Sequence, residues 1–345
     1  MTRKLIYILL ILALLFSVGI SLSVGAMGIP LKDVLLILGV KLGITKSALV
    51  PQYETVLVLI RLPRILLGLL VGAALGISGA SIQGIFRNPL AEPGLIGISA
   101  GASLMAVLVI VLEVTLLAGI SNMLGYYLIS SGAFLGAGIA AMLVYQLSKS
   151  DGKPNVATML LAGIAINALA GALTGLITAS AEEQQLRSIT FWMLGSLAGA
   201  NWQTVFSVLP FILIPLFVLP LQGRKLNAFV LGEKQADQLG MRTSRVKLLI
   251  VILSTLAVGA SVAVSGIIGF VGLLVPHMVR LMGGVDNKFV LPASALTGAL
   301  VLCIADVLAR MLTAPVEQPI GVVTALIGTP VFLYILIRDK KKLLN

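Results

Sequence analysis

Charge is scarce in this chain. Of its 345 residues only 11% are Asp, Glu, Lys or Arg, while 59% are hydrophobic; a soluble domain carries roughly 25% charged residues. Histidine and cysteine occur once each, as His277 and Cys303. A lone cysteine cannot close an intrachain disulfide, and one histidine without a CxxC pair gives no zinc-type ligand set. Cys303 lies in an apolar run and reads as a packed small hydrophobe. No GxxxxGK[ST] occurs, and the only Gly-Lys pair is followed by Pro154, so ATP hydrolysis through a phosphate-binding loop is excluded. Asp306 is nearly the only acid within the apolar runs. That disfavours proton- or ion-coupled carriers, which place charges at mid-membrane. Nothing in the composition calls for a cofactor or a metal.

What is abundant is apolar length. Mean hydropathy is +1.10, and a spanning helix takes about 20 apolar residues. The chain therefore reads as an all-α, polytopic membrane protein, a single domain over residues 1–345 with about ten spans. These cover residues 5–24, 61–85, 95–112, 124–147, 156–179, 204–221, 248–264, 267–282, 290–312 and 320–337. A loop over residues 25–60 and a connection over 113–123 join the early spans. A short interfacial or re-entrant helix around Phe191 and Trp192 precedes the sixth.

With the N-terminus inside, 17 of the 24 basic residues fall on the inner side. That bias sets orientation, with both termini cytoplasmic. The net charge of +11 thus describes topology rather than a nucleic-acid partner.

One polar stretch stands out, Gln222 to Lys247, with eight charged residues. The orientation makes it cytoplasmic. Leu226, Phe229 and Val230 recur at helical spacing and Gly232 is a stop; Glu233 to Leu239 gives a second short helix with Gly240 past its end. Helices this short need something to pack against. The readings are a docking surface or a solvated linker, and the missing phosphate-binding loop favours a cytoplasmic partner. Arg242, Arg245 and Lys247 read as inner anchors of the seventh span.

Glycines spaced by four, Gly68, Gly72 and Gly76, Gly97 and Gly101, Gly132 and Gly136, Gly171 and Gly175, put a small-residue face on each of four spans, the pattern of tight helix packing. A pathway lined by backbone is the minor alternative. Gly97-Ile98-Ser99-Ala100-Gly101 and Gly76-Ile77-Ser78-Gly79 mimic serine-nucleophile motifs, which makes an intramembrane serine protease the rival reading; either serine needs His277 as its base. Arg61 and Arg64 sit one turn apart at the outer start of the second span, and Arg310 ends the ninth on the same side. They are either snorkelling or paired arginines, with Asp306 four residues from Arg310, or a basic rim for an acidic partner.

Several blocks resemble one known family along nearly the whole chain. These are RLPRILLGLLVGAALGISGASIQGIFRNPLAEPGLIGISAGA (61–102), FWMLGSLAGANW (191–202), LGEKQADQLG (231–240), GFVGLLVPHMVR (269–280) and EQPIGVVTALIGTPVF (317–332). The chain is similar to the permease subunits of bacterial ABC importers for iron-siderophores, haem and cobalamin. The resemblance implies a type II importer permease in the bacterial inner membrane, a homodimer with its pathway at the subunit interface. Its partners would be two cytoplasmic ABC ATPase subunits and an extracytoplasmic substrate-binding protein, and the chain itself would perform no chemistry.

Residue by residue, the resemblance places ATPase coupling on Leu226, Asn227, Phe229, Leu231, Gly232, Glu233, Ala236, Leu239 and Gly240. Binding-protein docking falls on Arg61, Arg64 and Arg310. The inner gate falls on Asn88, Pro89 and Leu90 with Asn155, Val156 and Ala157. Among cargoes, haem ranks ahead of ferric siderophores, with cobalamin the alternative.

Overall fold

In the computed structural model, residues 2–344 are described except 26, 46–49, 114–118, 120–124, 126, 151 and 313–315. The 113–123 connection lies almost wholly outside them. Among the described residues the regular structure is helical, save one hairpin of two-residue strands. α1 is Arg3–Ser23 and α2 is Leu31–Lys41. α2 forms within what reads from sequence as a loop: Pro30 precedes it, Asp33 lies in its first turn and Lys41 in its last, matching the helix dipole at both ends.

α3 (Pro51–Thr55) continues through a π turn (Val56–Arg61) into α4 (Leu62–Phe86). The second span is thus one rod of 36 residues that starts ten residues before Arg61. Pro63 lies well inside it, at the second position of α4. The π turn absorbs its missing amide: the N–H of Leu62 reaches back to Leu57 O, five residues away, so the ladder is already widened where proline enters.

After a 3₁₀ turn (Pro93–Ile96) come α5 (Ile98–Leu112), α6 (Tyr127–Leu147), the antiparallel strands β1 (Lys149–Ser150) and β2 (Lys153–Pro154), and α7 (Val156–Ala179). α8 (Glu183–Leu194) is the expected short helix, opened by a capping box between Glu182 and Gln185. α9 (Trp202–Leu221), α10 (Gly223–Val230), α11 (Glu233–Gln238), α12 (Thr243–Ser265), α13 (Val271–Gly283), α14 (Asn287–Met311) and α15 (Ile320–Leu344) complete the chain. Among the described residues seven helices are long and apolar enough to cross a membrane, and three shorter apolar ones, Ile98–Leu112, Val271–Gly283 and Ile320–Ile335, bring the number to ten.

The core is built around α4, and glycine sets its spacings. A Cβ on Gly76 would lie 2.2 Å from Ser294 O, and one on Gly79 would lie 1.9 Å from Gly272 O. α4 therefore meets α14 and α13 backbone to backbone. α5 and α6 meet the same way at Gly101 and Gly136. Close approach of this kind supplies the dispersion contacts that hold helices together where lipid removes the hydrophobic drive.

Candidate functional site

Two ends and a cavity define the site. At one end three arginines, each at most 8% exposed, form a buried cluster. Arg64 donates to Asp306 (2.9 Å) and Glu317 (2.7 Å). Arg310 pairs with the same Asp306 at 3.1 Å and donates to Val24 O (3.0 Å) and Ser21 Oγ (2.6 Å). Arg61 donates to the carbonyls of Leu22 and Met27. All three spend donors on the chain itself and staple the end of α1 to α4 and α14. The pairing of Arg310 with Asp306 at i,i+4 was legible from spacing. The second acid, Glu317, was not, because it lies beyond the end of α14.

The opposite end carries the polar stretch. α10 and α11 are laid on the body by Leu226, Phe229 and Ala236, all fully buried; Leu226 packs against Gly84 of α4. Asn227 fixes α10 to the start of α14: its Nδ2 donates to Asp286 (2.7 Å), and its Oδ1 accepts from Asn287 N (2.8 Å). The Asn227 bond, followed by the Lys288 amide and Arg3, holds the Asp286 carboxyl below the usual carboxylate range. Asp237 is likewise held low, first by the hydroxyl of Thr243 (2.8 Å). Gly232 and Gly240 both have positive φ, 113° and 79°, the stops that their positions predict. Val230, Leu231 and Leu239 are left 63–70% exposed.

Lys247 departs from its reading as an anchor. Arg242 and Arg245 are exposed, but the Lys247 side chain is 2% exposed and pairs with Glu233 at 2.5 Å. It lies in the second turn of α12, facing α11 and the hairpin rather than water. The only sequence signal was its position at the edge of the apolar run, between Val246 and Leu248.

The expected gate segments are helix-end turns. Arg87 ends α4 in the left-handed region, φ 50°, and Asn88 Oδ1 accepts from Leu90 N at 2.9 Å, leaving Pro89 and Leu90 exposed. Asn155 caps α7, accepting from the amides of Ala157 (2.8 Å) and Thr158 (3.2 Å). Val156 is half-buried beside it.

Between the ends lies a cavity of about 950 Å³, walled by the 92–103 segment, α7, α8 and the 267–272 turn. Gly171 and Gly175 line it, with nothing within 4 Å of a Cβ at either. On α7 the spacing of four marks a backbone-lined wall rather than a packing seam. Among the described residues Glu92 is the one ionisable side chain on the wall. It occupies the N-cap of the 3₁₀ turn without its side chain capping it, and among the described residues its carboxylate makes no hydrogen bond. Asn167 stands nearby, its Nδ2 donating to Gly94 O (3.0 Å) while its Oδ1 is buried without a partner. Sequence reasoning missed both, since neither belongs to a recognisable spacing.

The protease geometry is not assembled. Ser78 Oγ is buried without a hydrogen-bond partner, Ser99 lines the cavity, and among the described residues no hydrogen bond joins either to His277. No group of three His, Cys, Asp or Glu side chains that could hold a metal occurs among them either.

Comparison with known proteins fits this arrangement. Residues 10–338 match the FecCD transport family. The chain belongs to that family. This FecCD chain is 46% identical over 283 residues to the hemin transport system permease of Yersinia pestis, covering 82% of this chain and 83% of that one. It is 42% identical to the cobalamin import system permease of Halobacterium salinarum (85% and 76% covered) and 38% identical to the Fe(3+)-citrate import system permease of Bacillus subtilis (97% and 95%). A solved inward-facing structure of a metal-chelate type ABC transporter superposes with a TM-score of 0.83 at 31% identity, covering 97% of this chain and 99% of that one. The FecCD chain is an ABC importer permease, a transport subunit with the ten-span all-α fold.

Proposed function

We propose that this permease carries an iron chelate, haem ahead of ferric siderophores, across the bacterial inner membrane into the cytoplasm as one half of a homodimer. Two ATPase subunits on the inner side drive it, and its termini face the cytoplasm. Cobalamin is the alternative cargo. The observation that carries the reading is the free face of α10 and α11: Leu226, Phe229 and Ala236 fix the pair to the body while Leu231 and Leu239 stand exposed. Apolar side chains held out on a polar, water-side segment mark a protein interface.

The cavity supports the cargo class. Its wall is apolar, with hydroxyls and a single carboxylate, and it suits a bulky chelate that must pass without being held. Asn88 to Leu90 and Asn155 to Ala157, at the inner ends of α4 and α7, form the gate in this reading.

A substrate-binding protein docks at the arginine end. Because Arg61, Arg64 and Arg310 are already engaged, an incoming acidic side chain exchanges with an internal one. Glu317, whose side chain is 40% exposed, is the exchangeable partner.

The test is ATP-dependent uptake by the complex in proteoliposomes, with hemin, ferric citrate and cyanocobalamin offered separately. Hemin is expected to accumulate fastest, and Leu231→Asp is expected to abolish ATPase capture without unfolding the permease. Uptake independent of ATP, or capture unchanged by Leu231→Asp, would overturn the reading.

A further inference from the structure

Two weak elements meet at one buried ammonium. α11 has six residues, too few to be stable alone because nucleation costs more than so few bonds return. The β1–β2 hairpin pairs only Lys149 with Pro154 and Ser150 with Lys153, and a hairpin this short does not hold itself either. The position of each is therefore set by what ties it down. Lys247 Nζ donates to Glu233 Oε2 at 2.5 Å and to Pro154 O at 2.7 Å. Glu233 is the first residue of α11, and Pro154 is the residue before Asn155, the cap of α7.

A lysine this near a helix end ordinarily extends its stem to water. Lys247 instead gives up hydration, which is costly unless the buried charge is fully bonded. The long span α12 makes the joint stiff.

We propose that Lys247 is a positioning residue that transmits displacement of α11 to the gate loop, through Pro154 and Asn155, to the start of α7. α7 carries Asn167, Gly171 and Gly175 of the cavity wall, so the linkage runs from the ATPase face to the pathway. It rests on the reading of α10–α11 as the coupling element and of residues 155–157 as gate. Coupling of this kind needs a two-state element that both sites bias; here that element is the hairpin with the first turn of α7.

The test uses the full complex of permease and ATPase subunits, with Cys303→Ser removing the native thiol and Val156→Cys as reporter. The rate of labelling by a membrane-impermeant maleimide is measured without nucleotide and with ADP and vanadate. With Lys247 present, that rate is expected to change about fivefold or more, the low end of ordinary coupling. Lys247→Met should shrink the change to under about twofold while the complex stays assembled and hydrolyses ATP; Lys247→Arg, which keeps a charged donor, should retain most of it. A full nucleotide response in Lys247→Met would overturn the proposal.

If Lys247→Met fails to assemble, Glu233→Gln decides. It leaves Lys247 on Pro154 and weakens the link to α11, so with capture of the ATPase subunits retained a lost response supports the proposal, and a retained response overturns it. No nucleotide response even with Lys247 intact would sink the gate assignment and this inference with it, a failure visible before any change at Lys247 is made.

Discussion

α4 and α7 both carry glycines four residues apart, yet 78% of the most apolar stretch of the rod that α4 completes is buried, against 17% for α7. In α4 the missing side chains admit the backbones of α13 and α14. In α7 they leave an open wall, and Gly171 and Gly175 meet nothing at all. The spacing states only that a helix has a smooth face. What meets that face, a neighbouring helix or an open cavity, is decided by residues far away in sequence.

The comparison breaks most visibly at Gly76 and Gly175. Gly76→Leu must place its Cβ where Ser294 O now lies, 2.2 Å away; separating two backbones costs more than the usual 1–3 kcal/mol of overpacking. We expect that variant not to give a monodisperse protein in detergent. Gly175→Leu faces empty space, so its thermal midpoint should stay near that of the parent while uptake falls. Equal loss of folded protein in both would show that α7 is packed after all.

Much of this contrast was legible beforehand and part was not. Span number, the short helix around Phe191 and the two helices stopped by Gly232 and Gly240 followed from apolar length and local backbone preference, which need no knowledge of neighbours. The start of the second span was misplaced because a π turn leaves no compositional mark. Lys247 was misread for a related reason: charge bias assigns a side of the membrane, whereas burial of its ammonium depends on Glu233 and Pro154 arriving from separate segments. The cavity ledge of Glu92 and Asn167 depends on α7 meeting the 3₁₀ turn, where Gly163 lets Leu95 O approach.

Electrostatics sharpen the same comparison with a smaller effect. α4 is held at its arginine end by Asp306, which is 3% exposed and serves both Arg64 and Arg310. Removing it in Asp306→Ala leaves two guanidinium groups with fewer partners in a buried site, a loss of about 3–5 kcal/mol. α7 has no counterpart, and thermal unfolding of Asp306→Ala beside Gly175→Leu should separate the two spans clearly. Asp306→Asn keeps one acceptor and should fall between them.

The smallest expected effect lies at the start of α7. Asn155 accepts from Ala157 and Thr158, so Asn155→Ala removes a cap worth about 1 kcal/mol. In a helix gripped along its length that loss would be spread over the whole fold and hardly seen. In α7, little buried, it should appear locally, as faster amide exchange in residues 156–160 with global unfolding almost unchanged. Exchange that stayed slow there would mean that the Lys247–Pro154 bond, and not the cap, holds the first turn, and the double variant Asn155→Ala with Lys247→Met would then release it.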